Sequence, residues 1–537
     1  MYTILEVSHS MNFYTAAALL AVLLLLVRAL YNAIWSVYLG PLSLIPGPRL
    51  AALTRLYEAF YDICLGGQYT FKIIELHKKY GPIIRIAPGE LHISDPDFYD
   101  TIYASSSAPR RMDKDPLFTR FSGLDNCVFS TVQHELHSQR RAALSLYFSM
   151  ANVRRLQPVI QERLGVMMRR IGDFRDSNEV LNVSCMFSAL GNDVVNIYSF
   201  ARCDHKLESP NFDPSSRDGA LAGLKSIHWV KHVPWIHGVI KALPETVVRQ
   251  IQPGLADFLA QQRISRLQVE SIMTGENEGW RDREHQTIFH AVLDSKHLPQ
   301  HEKTAERLSE EAQVLVMAGT LTTATILELI TFWLLRQPET LLRLKQELRS
   351  AMRSATPADM DAVPLAALQA LPYLMAVIKE GLRLGYGLST RSQRINPDNP
   401  IVFVDRKTGK RTVIPPNTPV SITSVAVHRD ETIFPQPELF IPDRWLGEGA
   451  KKLDRYLTSF SRGSRNCLGM NLAYGELYLT LAYIWRVWAS REAMGPDDVG
   501  ILELFETGPR DVEMGADYFI PTPQRGSMGI RVKVHSA

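Results

Sequence analysis

The chain has 537 residues, with 59 Lys+Arg against 56 Asp+Glu and a formal charge of +3. That near-balance excludes a polybasic nucleic-acid binder resting on bulk charge, and 46% apolar with 21% charged residues excludes a disordered chain. Five cysteines in so long a chain exclude a disulfide scaffold, and the odd count leaves at least one without an intramolecular partner.

The first element is an apolar run. Phe13 to Val27 is apolar apart from Thr15 and the Tyr14 hydroxyl, and the character continues to Leu39, strongly interrupted only by Arg28 and Asn32. A spanning helix needs roughly 20 mainly apolar residues. Arg28 can snorkel toward headgroups, and Tyr31, Trp35 and Tyr38 suit an interfacial belt. A cleaved signal peptide would need a basic start and a small-x-small cleavage site, and neither is present; a buried core helix is the other alternative. Pro41 and Ile45-Pro46-Gly47-Pro48 then give a stiff bend. The expectation is an anchor over 1–40, a proline-rich hinge over 41–48 and one domain over 49–537, with a single span because no second run of comparable length appears.

Helical spacing dominates the rest, at about 134–150, 154–173, 302–336, 338–353, 365–384 and 470–490. Ile401–Val404 and Thr412–Ile414 read as a strand pair around the turn Lys407–Lys410, and Tyr518–Ile520 with Met528–Val532 as a second hairpin. With no repeat or linker, this predicts one mainly α domain with small β-sheets.

The chemistry gathers around Phe460-Ser-Arg-Gly463-Ser-Arg465-Asn-Cys467-Leu-Gly469. Gly463 permits a tight loop, and Gly469 permits close backbone approach to a flat ligand. Cys467 precedes a predicted helix, whose end amides favour a thiolate able to bind metal. This stretch is similar to the heme-binding signature FxxGxRxCxG of the cytochrome P-450 family, and Ala473 and Glu476 fit its continuation. The resemblance implies heme b (iron protoporphyrin IX) with Cys467 as axial iron ligand, Arg465 at a heme propionate and Phe460 near the sulfur.

Three further motifs follow the family's order. Glu380-Gly-Leu-Arg383 sets an acid and a base on one helix face, and the family joins such a pair with a downstream arginine, here Arg444, in a structural triad. Ala318-Gly319-Thr320-Leu321-Thr322-Thr323 lies in a long helical pattern. A threonine there can bond back to the carbonyl four residues earlier and bend the helix, and a bend beside a small residue leaves room for a diatomic ligand. By resemblance, Ala318, Gly319 and Thr322 lie over the heme's distal face, Thr322 in oxygen activation and proton delivery. Leu321 stands where the family usually has Asp or Glu. His137 and Arg141 match a WxxxR helix with His in place of Trp, both toward a propionate, and Arg394, with Arg391 as runner-up, stands where another propionate-binding cation is common.

The resemblance runs from the anchor to the C-terminal end, and stretches such as His134–Arg141 and Arg383–Arg391 resemble a fungal branch of secondary metabolism. It implies a membrane-anchored monooxygenase of the endoplasmic reticulum, single-pass with its catalytic domain facing the cytosol. One atom of O2 enters a small hydrophobic substrate, a terpenoid first, a polyketide or alkaloid next. No GxGxxG fingerprint is present, so electrons come from a separate NADPH-dependent flavoprotein reductase, with Lys451, Lys452, Arg455 and Arg462 as a docking surface. Pocket candidates are the loop around 104–128, Val314–Ala318, Leu388–Thr390 and the 515–521 tip. Two alternatives remain, a same-fold enzyme that rearranges or dehydrates without reductase, for which Leu321 argues, and a non-catalytic membrane heme protein.

Other signals carry less. His428-Arg-Asp430 shares letters with a kinase catalytic loop, but Pro435 occupies the required asparagine position. His134-x-x-His137 lacks zinc-site spacing and a third ligand. Cys64, Cys127, Cys185 and Cys203 show no CxxC spacing, and Asn182-Val-Ser184 is a sequon that stays unused in the cytosol.

Overall fold

Two helices, Val183–Phe200 and Ala305–Arg336, cross at the centre of the molecule in the computed structural model, which describes residues 2–105, 111–120, 123–281, 285–352, 354 and 356–537, and for 2–12, 357 and 358 the backbone alone. Glycine sets their closeness. A Cβ on Gly191 would sit 2.5 Å from the Gly319 carbonyl oxygen, and one on Gly319 would sit 2.9 Å from the Val195 Cβ. Around this crossing pack the helices Met150–Ser177, Pro338–Ala351, Pro372–Leu384 and Met470–Val487, which share one large apolar core. Ser215–His232 and Pro253–Met273 lie side by side against the same long helix.

The predicted helices are present with shifted ends. The 302–336 pattern begins at Ala305 because Thr304 caps it, its hydroxyl accepting from the Arg307 N–H. The 365–384 pattern is two helices, Leu365–Gln369 and Pro372–Leu384, since Pro372 has no N–H to continue the first and suits the start of a second. The last long helix stops at Val487, where Trp488–Ala489 enters a sheet.

The β-structure is small. A five-stranded sheet runs Ile83–Ala87, Glu90–Ile93, Val420–Ser421, Arg394–Ile395, Asp113–Lys114. A four-stranded sheet runs Val180–Asn182, Arg531–Ser536, Gly500–Leu504, Trp488–Ala489. The pair Ile401–Val404 with Arg411–Ile414 forms as expected. The second expected hairpin is different. Ala516–Tyr518 pairs with Ile520–Thr522 across Phe519, whose φ is +76°, while Arg531–Ser536 pairs with Gly500–Leu504 and Val180–Asn182. An alternating strand signals a half-buried surface but does not name its partner.

The N-terminal helix Tyr2–Ile34 continues into a π-helical turn, Trp35–Leu39, and Phe13–Leu39 has a mean hydropathy of 2.2 with its large apolar side chains exposed. Among the described residues a second helix, Ala305–Arg336, is also long and apolar enough to cross a membrane. That corrects the expectation of no second run of such length; this helix is largely buried and is the core of the domain. Residues 41–48 are clamped rather than loose. Leu42 and Ile45 are buried, the Arg85 N–H donates to the Pro46 carbonyl at 2.8 Å, and a Cβ on Gly47 would sit 2.3 Å from the Arg85 carbonyl oxygen.

Candidate active site

The cysteine loop is built by close backbone approaches. Gly463 has φ +76°, and a Cβ there would lie 2.2 Å from the Ala104 carbonyl oxygen, so only glycine fits. The Cys467 N–H donates to the Phe460 carbonyl at 2.9 Å, and the Phe460 ring packs 5.2 Å from Tyr474. Arg141 ties the loop from outside, donating to the Asn466 carbonyl and side-chain oxygen at 2.7 Å each. Gly469 begins the Met470–Val487 helix with φ −82°, and a Cβ there would meet nothing within 4 Å. A side chain there would enter open space. Cys467 itself is exposed, yet burial among protein atoms pushes its thiol up, against smaller lowering by the Gly469 N–H and Arg141. Both hold for a sulfur facing a recess walled by protein.

The long helix has a matching opening. Ala318 and Thr322 are exposed while Met317, Thr320, Leu321 and Thr323 are buried. Four residues apart, the pair shares one face. The Thr322 hydroxyl donates to the Ala318 carbonyl at 2.9 Å, the predicted back-bond, though the helix is continuous. Gly319 corrects the sequence reading. Its missing side chain faces Val195, so it serves helix packing and not the room for a diatomic ligand. Leu321 joins an apolar cluster with Met317, Phe118, Phe258, Phe519 and Ile520, against which Val314 and Leu388 pack. The described parts of all four pocket candidates therefore converge, joined by two helices that sequence reasoning had not assigned; residues 106–110 and 121–122 of the first lie outside the described set.

Next to the cysteine loop lies a cluster of buried cations. Lys114 stands directly opposite Arg394 in the antiparallel pair Asp113–Lys114 with Arg394–Ile395, an arrangement that like charges destabilise. Burial holds Lys114 well below its usual range, and Arg394 and Arg465 push it further down. Burial followed by Arg465 and Lys114 lowers His137 to about 2, and burial followed by Arg394 lowers Arg465 to about 9, against smaller raising by the Asp113 and Glu135 carboxylates, neither of which forms an ion pair with it. Burial alone depresses Arg394, against its two tyrosine neighbours, and burial depresses Arg141. Arg465 donates to the Thr131 and Val132 carbonyls at 2.6 Å, leaving its Nε without a partner, as is the His137 Nδ1. Among the described residues no carboxylate forms an ion pair with Lys114, His137, Arg141, Arg394 or Arg465. Buried charge of one sign needs a counter-charge, and a flat cofactor bearing two carboxylates supplies it. The residues present thus fit heme. Arg391, the runner-up, belongs elsewhere. It pairs with Glu58 at 2.6 Å and Asp62 at 3.3 Å.

Beneath the loop the expected acid and bases meet. Arg383 donates to both Glu380 oxygens at 2.8 and 2.9 Å, and Arg444 Nε to Glu380 at 3.1 Å. Trp445 Nε1 and the Ile441 N–H also donate to Glu380, and Arg383 reaches the carbonyls of His428, Pro437 and Leu439. Glu380 and Arg383 are fully buried and fully paired. Of the expected docking cations, Arg455 and Arg462 lie within ion-pair distance of Asp100, while Lys451 and Lys452 are exposed. The sequon asparagine caps the Val183–Phe200 helix, accepting from the Cys185 N–H, and Ser184 is buried.

Sequence reasoning missed Lys114. Its only signal is its place opposite Arg394, which pairing alone reveals.

The cytochrome P450 family profile matches residues 56–488. The chain belongs to the cytochrome P450 family. It is 43% identical over 504 residues to the cytochrome P450 monooxygenase tpcC of Cochliobolus heterostrophus, covering 94% of each chain. It is 41% identical over 529 residues to the monooxygenase astB of Talaromyces wortmannii, 98% of this chain and 99% of that one. It is 38% identical over 504 residues to the tryptophan 6-hydroxylase fscE of Fusarium equiseti, 94% of each. This P450 is a heme-thiolate monooxygenase of the fungal secondary-metabolism branch, acting on a hydrophobic substrate with heme b and electrons that originate in NADPH. A reductase partner comes with the class.

Proposed function

We propose that Cys467 holds the heme iron and that Lys114, His137, Arg141, Arg394 and Arg465 receive the propionates. The observation that carries this is the buried cation cluster beside an open cysteine, with no ion-paired carboxylate among the described residues. The bound heme supplies thiolate-assisted activation of O2. Phe460, Gly463 and Gly469 shape the ligand loop, and Glu380, Arg383 and Arg444 hold it from below. On the distal side Ala318 leaves space at the recess and Thr322 offers a hydroxyl for proton delivery. Leu321 closes the position where an acid would sit, so the proton reaches Thr322 without that carboxylate.

Within the hydrophobic class the reading favours a flat aromatic molecule, a polyketide or alkaloid ahead of a terpenoid. Phe118, Phe129 and Phe519 form a mutual ring cluster with centroids 5.5–6.1 Å apart in the apolar cluster that holds Leu321, and aromatic walls of this kind stack on planar rings. One relative bears the name tryptophan 6-hydroxylase. The exposed apolar helix supports an anchor over 1–40, a boundary at 41–48, a catalytic domain over 49–537 and a single-pass place in the endoplasmic reticulum with that domain in the cytosol.

A reduced-plus-CO difference spectrum of the anchored enzyme tests the ligand. The thiolate-type band is expected in the parent and absent in Cys467→Ala; a band surviving that substitution refutes the assignment. Dependence of turnover on NADPH and reductase separates oxygen insertion from rearrangement. Product mass with candidate aromatics and terpenoids decides the substrate class.

A further inference from the structure

We propose that His428 is a positioning residue for the iron-ligating thiolate, tying Arg383 to Thr458 through one neutral tautomer and so fixing the backbone that bonds Cys467. The inference rests on the assignment of Cys467 as that ligand.

His428 ends the short helix Ser424–His428 and is fully buried. Its ring faces two backbone groups of opposite polarity. Nδ1 lies 2.8 Å from the Arg383 carbonyl oxygen, which only accepts, so Nδ1 carries the proton. Nε2 lies 2.9 Å from the Thr458 N–H, which only donates, so Nε2 is bare. One protonation state out of three satisfies both. Burial, reinforced by the Arg383 charge and opposed by smaller raising from the Arg383 and Tyr456 carbonyls, lowers the ring to about 3 and keeps it neutral. The ring plane is held by Tyr386 stacked at 6.1 Å and the Phe434 edge at 6.1 Å.

Both bonds lead somewhere. Arg383 also donates to the His428 carbonyl at 3.2 Å, so the residue is bonded to it on two sides. The Thr458 carbonyl accepts from the Ser461 N–H at 2.8 Å, and Ser459 Oγ donates to the Leu382 carbonyl at 2.7 Å. Two residues past Thr458, the Phe460 carbonyl accepts the Cys467 N–H. A continuous path thus runs from the Glu380–Arg383 pair through the imidazole to the ligand loop.

Two half-variants of the full-length holoenzyme test the two bonds separately. An asparagine amide replaces Nδ1 and leaves Thr458 without an acceptor, while a glutamine oxygen reaches toward Nε2 and gives up the bond to Arg383. At matched heme content, His428→Asn is expected to raise the thiol-type share of the reduced-CO spectrum several-fold and to shift the reduction potential. His428→Gln should stay nearer the parent. Parent-like spectra in both variants, or thiolate loss that only tracks heme loss in both, overturn the proposal. Should neither variant fold, hydrogen exchange on the parent decides. The Thr458 amide must exchange as slowly as that of Cys467, and rapid exchange overturns the proposal. A parent without a thiolate-type band refutes the ligand assignment instead.

Discussion

Two regions of this P450 bury several charges, and they do so in opposite ways. Beneath the ligand loop, Glu380 meets Arg383, Arg444 and Trp445, and the remaining Arg383 donors end on carbonyls. Around the recess, Arg394 and Arg465 depress Lys114, the same cations with Lys114 depress His137, Arg394 depresses Arg465, and none of the four forms an ion pair with a carboxylate among the described residues. A closed network holds a fold together. An open one of a single sign is a socket that is complete only with its ligand.

The closed network gives the largest expected effect. Arg383→Ala leaves Glu380 buried beside fewer donors, and breaking such a pair costs about 3–5 kcal/mol. Little folded heme protein is expected, as read by heme absorbance per mole of chain. A variant with parent-like heme content and melting temperature would show that Arg444 and Trp445 suffice for Glu380.

The open socket predicts effects of opposite sign in the two states. Lys114→Met removes a cation that faces Arg394 and is desolvated without an acid partner. The heme-free protein should gain stability, since burial and the neighbouring Arg394 and Arg465 disfavour that charge. The heme-bound protein should lose heme faster, measured by transfer to apomyoglobin. If both states lose stability together, Lys114 belongs to the packing and not to the socket.

The contrast also explains what the sequence disclosed. The ligand loop and the Glu380/Arg383 pair are each contiguous, so spacing alone marks them. The socket is not. Lys114 has meaning only through the strand pairing that sets it against Arg394, and the chain between them says nothing of it. His428 was visible as a letter pattern but not as a bond between Arg383 and Thr458. The Val183–Phe200 helix escaped notice although Ser184, Ser188, Asn192 and Asn196 recur every four residues, because that polar face is buried against neighbouring helices, Asn192 donating to the Thr320 hydroxyl, instead of facing water. Gly319 was read as space for a ligand because its helix was visible and its neighbour, that undetected helix, was not.

Glu476 sharpens the comparison as a single buried acid on the helix that follows the ligand loop. Burial pushes its carboxyl up to about 8, against a smaller lowering by the Thr323 hydroxyl. Folded, it keeps its proton to about 8; unfolded, it releases it near 4.5. Between those values the folded state binds more protons, so stability is greatest at the acid end and falls as pH rises, by at most about 1.4 kcal/mol per unit. Glu476→Gln should remove that decline and be the more stable protein near pH 8, measured by denaturant midpoints across the window. An unchanged slope in the variant would place the titrating group elsewhere.

The smallest stability effect belongs to Thr322. Its hydroxyl is exposed to the recess and bonded only to a carbonyl of its own helix. Thr322→Ala therefore removes only a hydrogen bond within its own helix, at an exposed position, and should change stability by no more than about 0.5 kcal/mol. Its effect should appear in coupling. With Leu321 where an acid is usual, the hydroxyl has no neighbouring carboxylate in the sequence to share its task, so product formed per NADPH should fall while NADPH use continues. Thr322→Ser keeps the hydroxyl and should restore most of the coupling. Equal coupling in the alanine variant would remove Thr322 from proton delivery and leave the recess lined by a residue whose hydroxyl does no more than close a helical turn.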